Sequence, residues 1–155
     1  MSNPSGASVT NKKLDVARRF LKLLSSSDES WMEKAYEDSA LFHLKSGLNG
    51  LLQEVCANYS LQHDLDISRL LEQANQKGIS IPVLQELNAL SSDPSSWLSQ
   101  LEKAYVTAYE CYSRPQGVVM SNVIVSSSSS ENSIAFYLQS ISELALRYRE
   151  ESTEY

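Results

Sequence analysis

Three polar residues of this chain, Ser39, His43 and Glu54, have the side-chain types of a hydrolytic triad and share one side of a long predicted helix. In such a triad the histidine bonds to both of the other groups. Glu54 follows His43 by 11 residues, which is about 16 Å along one helix at about 1.5 Å per residue, so the two cannot bond to each other. We therefore interpret His43 as an interior, hydrogen-bonded histidine and expect no catalytic residue.

Metal and cofactor motifs are missing from the sequence. Neither His43 nor His63 has a glutamate three positions earlier, as a di-metal carboxylate site in a helical bundle would require. There is no His-Glu-x-x-His sequence, P-loop or dinucleotide fingerprint. The cysteines, Cys56 and Cys111, lack a second ligand at metal spacing and are expected to be free, buried thiols. The sequence therefore predicts neither a metal site nor a cofactor.

Two further groups of side chains allow a functional and a structural interpretation. Tyr105, Tyr109 and Tyr112 follow one column of a predicted helix and could line a pocket, but tyrosines at this spacing are typical of a core with their hydroxyls at its edge. The basic residues of the first helix could bind an anionic surface, but we interpret them as a solvated face that an acidic residue interrupts: Lys12, Arg18, Arg19 and Lys22, with Asp15 among them.

Composition and charge limit the class of protein. The 155 residues are 42% hydrophobic, which suffices for one domain with a sizeable core. The net charge is -6, which argues against nucleic-acid binding, because neutralising phosphates needs a concentrated basic surface. Residues 1–24 nevertheless carry +4, so the other 131 carry -10. The sequence has neither an N-terminal apolar core typical of a signal peptide nor a run of about 20 apolar residues, and a cytoplasmic protein without a membrane role is expected.

Apolar periodicity predicts an all-α fold: a four-helix-bundle-like single domain. Four long helices form the bundle, and two short ones form a helical pair in the crossover between the second and fifth helices. The four long helices are expected at about 11–24, 30–59, 94–112 and 132–150, with short helices after Asp66 and Ser80, the first ended by Gly78. Buried apolar bands are expected from Ala40 to Tyr59 in the second helix, from Trp97 to Tyr112 in the fifth and from Ile134 to Tyr148 in the last. Residues 1–10 are expected to be a disordered lead, 11–151 the bundle domain and 152–155 a tail.

The ends and faces of these helices carry further predictions. Ser30 and Glu33 have the capping-box spacing at the start of the second helix. Asp66, Ser80 and the Asp93-Pro94 pair are the expected starts of the next three. The second helix also has a stripe of small residues opposite its apolar face, and glycine there is better explained by close packing than by exposure. We expect that helix to be continuous and covered on two sides.

Residues 118–125 are rich in β-branched side chains, which favour extended structure over helix. No second run of this kind is available to pair with them, so they are expected to form an extended segment laid over the bundle before the last helix. The five serines at 126–130 are expected to form a hinge.

Short sequences spread over residues 11–150 resemble a family of small gammaproteobacterial proteins that carries only a domain-of-unknown-function label. The resemblance implies a helical cytoplasmic protein and supplies no activity, cofactor or site residue. It is carried by Asn11-Lys12-Lys13-Leu14 with Ala17, Ser39-Ala40-Leu41-Phe42-His43-Leu44, Gly50-Leu51 with Glu54 and Tyr59, Trp97-Leu98 with Leu101, and Ala145-Leu146-Arg147-Tyr148-Arg149-Glu150.

These observations favour a non-enzymatic cytoplasmic protein with an interaction or regulatory role, a protein partner of unknown identity and the option of self-association. The alternative is a HEPN-like nucleotide- or RNA-binding helical bundle, which would lack the nuclease motif because no arginine stands five residues before a histidine. A third hypothesis is an enzyme that combines His43 and Glu54 with groups from other helices. The surroundings of His43 separate these hypotheses, since a catalyst needs an open polar cleft there.

Overall fold

The computed structural model describes the backbone of residues 5–111 and 120–153, and the side chains of 5–111 and 134–153. Within these residues the chain is all-α, as predicted, and has no strand. Its six helices are α1 (Gly6–Ser26), α2 (Ser30–Asn58), α3 (Ile67–Gln76), α4 (Pro82–Ser92), α5 (Trp97–Tyr109) and α6 (Met120–Thr153).

The long helix α2 is the centre of a bundle-like arrangement. It forms an antiparallel hairpin with α1 and also packs on α5 and α6, while α3 and α4 pack on each other and α4 reaches α5. Leucines of α2 fill the middle of the core together with side chains from α5 and α6. The fully buried members include Leu44, Leu48, Leu51, Leu98, Leu101, Ile134 and Ile141. The short α3–α4 pair therefore lies in the crossover between α2 and α5, where it was expected.

The predicted disordered lead is wrong from residue 5 onward. Ser5 accepts a hydrogen bond from the Ser8 backbone N–H at 3.2 Å and caps α1, so the helix begins at Gly6. Thr10 is fully buried against α2. The reason is tertiary: a polar sequence without an apolar stripe becomes ordered because it packs on another helix. Residues 1–4 lie outside the described part of the chain.

Helix α2 is continuous through Gly47 and Gly50, as predicted. The predicted capping box at its start does not form. Ser30 is already in the first turn, and the cap position is occupied by Glu29, which makes no side-chain capping bond. The helix begins there all the same because packing of its long apolar face outweighs one missing cap bond of about 1 kcal/mol.

The observed ends of the short helices match the predicted ends in part. Asp66 caps α3 through the Arg69 backbone N–H at 3.1 Å, and Gly78 follows the helix with a φ of 67°, as a glycine C-cap requires. The starts of the next two helices differ. Ile81, not Ser80, is the cap position of α4, and it makes no side-chain cap bond.

The start of α5 lies three residues later than the sequence predicts, because Ser96 caps it in place of Asp93. Asp93 instead closes a turn, in which its Oδ1 accepts hydrogen bonds from the Ser95 hydroxyl and backbone N–H at 2.7 and 2.9 Å. These bonds hold the pKa of Asp93 below its ordinary value. The acidic side chain thus bonds two residues ahead, a conformation that competes with helix capping.

The last helix is longer than predicted. Residues 120–130 are helical, so the extended segment expected over 118–125 and the serine hinge at 126–130 are wrong wherever the structure describes them; 118 and 119 lie outside the described residues. In a helix, valine, isoleucine and serine each cost at most about 0.7 kcal/mol of free energy relative to alanine. An extended segment here would have no second strand to pair with and stabilise it, so the helix is favoured. At the other end α6 includes 152 and 153, which were assigned to the tail.

The apolar stripe of α6 packs as predicted. Ile134, Leu138, Ile141, Leu144, Ala145 and Tyr148 are all buried. The Tyr148 hydroxyl accepts a hydrogen bond from Asn58 Nδ2 at 2.6 Å. Burial raises the pKa of Tyr148 to about 12, although the bond from Asn58 lowers it.

This raised pKa predicts a loss of stability in alkali. An unfolded tyrosine ionises near a pKa of about 10, so the contribution of Tyr148 is fully present below pH 10 and disappears as the pH rises toward the folded pKa of about 12. In urea titrations between these pH values, wild type should lose about 1–2 kcal/mol more of its free energy of unfolding than Tyr148→Phe does. Parallel pH dependences of the two proteins would contradict the assignment.

Candidate functional site

His43 and Ser39 lie one turn apart on α2 and do not form a catalytic pair. His43 Nδ1 lies 2.7 Å from the backbone carbonyl oxygen of Ser39. A carbonyl can only accept, so Nδ1 carries a proton and donates it. The Ser39 hydroxyl donates in turn to the Ala35 carbonyl at 2.7 Å. Both polar groups are therefore bonded to the helix backbone rather than to each other, as in helices whose serines bond back to an earlier carbonyl.

The ring of His43 is surrounded by aromatic side chains. It lies 5.5 Å from the Phe20 ring of α1 and 5.1 Å from the Phe42 ring, measured between centroids. Tyr36 continues the contact, 6.2 Å from Phe20. We call these four residues, together with Trp31 on the same helix, the aromatic face: Phe20, Trp31, Tyr36, Phe42 and His43. These ring contacts leave His43 half-buried in apolar surroundings, and its hydrogen bond is to the Ser39 backbone.

Much of the aromatic face is open to solvent. The exposed fraction is 68% for Trp31 and 51% for Phe42. Trp31 is held in place by its indole N–H, which donates to Glu29 Oε2 at 2.6 Å. The Lys13 ammonium of α1 lies 5.8 Å from the centre of the Phe42 ring, within range of a cation–π interaction. The face thus has a cation beside Phe42 and a carboxylate beside Trp31.

Glu54, the third residue of the predicted stripe, belongs to a separate cluster at the other end of α2. Its side chain is 8% exposed. Arg149 of α6 donates to it twice, from Nε to Oε1 and from Nη2 to Oε2, both at 3.0 Å. The Thr10 hydroxyl of α1 donates to Oε2 at 2.7 Å. Three helices therefore meet at one carboxylate.

The third guanidinium nitrogen of Arg149 also has a partner. Arg149 Nη1 donates to Asn11 Oδ1 at 2.8 Å. The cluster of Thr10, Asn11, Glu54 and Arg149, here called the clamp, therefore uses both carboxylate oxygens and all three kinds of guanidinium nitrogen. The Glu54 carboxylate thus accepts three hydrogen bonds, two from a bidentate arginine and one from a hydroxyl. The geometry is that of a structural tie between helices.

Small residues make room for the clamp and for α1. A Cβ added at Gly50 would lie 2.6 Å from Thr10 Oγ1, and one added at Gly6 would lie 3.0 Å from Glu54 Cγ. At Gly47 the added atom would lie 2.7 Å from Leu14 Cδ2. The small-residue stripe of α2 is thus the surface on which α1 packs, and the prediction that α2 is covered on two sides is confirmed.

The sequence reasoning did not find Thr10, Asn11 or Arg149. Asn11 was read only as the start of a helix, and Thr10 as part of a lead. A signal for Arg149 was nevertheless available, because a glutamate on a stripe of small residues faces another helix and requires a cation there. Two other arginines, Arg18 and Arg147, pair elsewhere, with Asp15 at 3.4 Å and Glu86 at 2.8 Å.

The tyrosine column of α5 does not form a core. Tyr105 and Tyr109 stack on each other with centroids 6.0 Å apart, and Tyr109 is 77% exposed. The predicted buried band of α5 is therefore wrong at its C-terminal end, where the described helix stops at Tyr109 and the chain turns at Cys111 with a φ of 53°. Tyr112 lies outside the described residues. The band is buried only where α5 meets α2 and α6, at Leu98 and Leu101.

The cysteines differ from each other. Both are free, Cys56 buried and Cys111 exposed, so the prediction of two buried thiols holds for Cys56 alone.

Over the described residues no three side chains of histidine, cysteine, aspartate or glutamate come together as a metal site would require. Within the same residues no helix has the length and apolar character needed to cross a membrane.

The arrangement of α1, α2, α5 and α6 defines an all-helical bundle protein with two notable side-chain groups, an open aromatic face and a closed ionic clamp. The amino-acid sequence of this chain matches the family described as "Family of unknown function (DUF6586)" over residues 1–155. The chain belongs to that family, which confirms the resemblance to an uncharacterised domain. No curated protein and no solved structure matches the chain.

Proposed function

We propose that this chain is a non-enzymatic protein of the bacterial cytoplasm that binds a protein partner through the aromatic face. The observation that carries the proposal is the exposure of Trp31 and Phe42, at 68% and 51%. The cellular location is part of the proposal and rests on the resemblance to small bacterial proteins.

Exposed aromatic side chains grouped on one surface are typical of interaction sites. Tryptophan and tyrosine supply a large share of the residues that dominate binding energy at protein interfaces. Trp31 and Phe42 are 11 residues apart on one side of α2, which is about 16 Å at about 1.5 Å per residue. Asp38, which pairs with Lys34 at 3.2 Å, lies between them along that side, and half-buried Phe20 and Tyr36 lie at the seam with α1. The face thus offers an elongated strip, aromatic at both ends, on a two-helix support.

The polar groups support a non-enzymatic role. A catalytic carboxylate needs a free oxygen to accept a proton or bind a substrate, whereas Glu54 uses both oxygens within the clamp. His43 is 11 positions from Glu54 and packs between Phe20 and Phe42. The two residues therefore serve different surfaces, and each has a structural task.

The test compares two variants with equal numbers of altered exposed apolar side chains. Trp31→Ser/Phe42→Ser removes the aromatic face, and Leu65→Ser/Leu146→Ser removes two leucines that are 41% and 58% exposed elsewhere. In affinity capture from the native host, a partner should be retained by wild type and by the leucine variant and lost by the aromatic variant.

The captured partner must then be purified and titrated against the intact protein. The aromatic variant should bind at least about tenfold more weakly than wild type, since truncated interface anchors cost about 2 kcal/mol or more, while the leucine variant should match wild type. Equal binding by all three proteins, with unchanged helical circular dichroism, would contradict the proposed site.

A further inference from the structure

We propose that the segment bound by the aromatic face is an acidic amphipathic helix, lying along the α1–α2 hairpin with its carboxylates on α1. This inference rests on the proposed function and names the chemistry of the partner. Its starting observation is that basic and apolar residues alternate along one stripe of α1: Lys12, Val16, Arg19 and Leu23.

The stripe is continuous with the aromatic face. Steps of four, three and four residues keep these side chains on one side of α1. The next row of the helix toward α2 contains Lys13 and Phe20, which contact Phe42 and His43 respectively. Leu23 is 45% exposed, and Val16 is half-buried. A ligand on the aromatic face therefore meets the stripe along its flank.

The charge of this surface selects an acidic ligand. Helix α1 contains five basic residues and one acidic residue, in a chain whose net charge is -6. No described residue forms an ion pair with Lys12, and Arg19, although paired with Asp15, keeps 76% of its side chain exposed. On the α1 side of the aromatic strip the potential is thus positive, and there it complements carboxylates and repels basic segments. The α2 side carries Glu29, bonded to Trp31, and Asp38, paired with Lys34.

The length and shape of the strip select a helix. An amphipathic helix presents apolar side chains at intervals of three and four residues and lays that row into an apolar surface. Eleven residues separate Trp31 from Phe42, so a helix of three turns, about 16 Å long, would span them. Acidic residues on the flank of such a helix would face Lys12 and Arg19.

The test uses synthetic peptides and the full chain with Trp97→Phe, in which Trp31 is the sole tryptophan. One peptide of about 16 residues has leucines at helical spacing and glutamates on the flanks; a second has lysine for every glutamate; a third scrambles the first. The acidic peptide should shift the Trp31 emission in a saturable way and bind at least about tenfold more tightly than the other two. Its affinity should fall several-fold between about 50 and 300 mM salt.

Charge reversal provides the matched variants. Lys12→Glu/Arg19→Glu should weaken binding of the acidic peptide at least about tenfold. The control, Arg69→Glu/Lys77→Glu, reverses two charges on and after α3, which packs on α4, and should bind as wild type does. Both variants should keep the same helical circular dichroism.

Several results would overturn the inference. These are no emission shift with the acidic peptide up to about 1 mM, equal binding of the basic peptide, or equal weakening by both charge-reversed variants. Binding of RNA or of anionic vesicles in preference to the peptide would also overturn it. If the purified partner depends on Trp31 and Phe42 but not on Lys12 and Arg19, the inference fails while the proposed function stands.

Discussion

Replacing Arg149 with leucine is expected to lower the free energy of unfolding by about 3–5 kcal/mol, because it leaves the Glu54 carboxylate buried without its cation. Glu54 is 8% exposed and Arg149 is 23% exposed, so water can replace little of the lost interaction. Two charged hydrogen bonds at 3.0 Å would disappear together. Urea denaturation at neutral pH measures the effect.

The neighbouring Arg147 supplies the control. It makes an equally good bidentate pair with Glu86, at 3.0 and 2.8 Å, but its side chain is 55% exposed. An exposed pair contributes about 1 kcal/mol or less, so Arg147→Leu should be mild. A loss below about 1 kcal/mol for Arg149→Leu, or equal losses for both variants, would show that the clamp does not hold the helices together.

A double variant separates the effect of losing the ion pair from the effect of leaving one buried charge unpaired. Glu54→Leu/Arg149→Leu removes both ions, so the large free-energy cost of an unpaired buried carboxylate is absent. It should recover at least about 1–2 kcal/mol relative to Arg149→Leu. The Thr10 hydroxyl, which has a single proton to donate, would then redirect it from Glu54 to the Gly6 carbonyl 3.0 Å away.

Gly50→Ala should destabilise the fold by about 1–3 kcal/mol, the usual cost of forcing a methyl group into a packed contact. The new Cβ would lie 2.6 Å from Thr10 Oγ1, and that hydroxyl is held by Glu54 at 2.7 Å. This is opposite to the ordinary effect of the substitution, since alanine in a helix interior is about 1 kcal/mol better than glycine.

Removing Thr10 Oγ1 should reverse the sign of this substitution. In a Thr10→Ala background, the next atoms of residue 10 lie 3.4 Å from the added Cβ, so Gly50→Ala should become neutral or stabilising. Thermal and urea unfolding of the two single variants and the double variant give the coupling energy. Additive effects would mean that α1 does not approach α2 as closely as the structure shows.

Local sequence patterns were enough to locate the helices whose apolar stripes are long and regular. The leucine row of α2 and the stripe from Ile134 to Tyr148 in α6 were both placed correctly, because helical spacing of apolar residues has one low-energy arrangement on a core. The glycine at 78 fixed the end of α3 for a similarly local reason, a positive φ. The stripe of small residues likewise predicted a second helix against α2.

Tertiary structure decided what local patterns left open. Thr10 became ordered because α1 packs on α2, where its hydroxyl bonds to Glu54, and α6 extended to Met120 although its residues favour strands locally. His43 and Glu54 share one stripe in the sequence, yet one joins an aromatic face and the other an ionic clamp with Arg149, 95 residues further along the chain. Periodicity specifies which side of a helix a residue occupies; only the packing of other helices on that side determines the residues it meets.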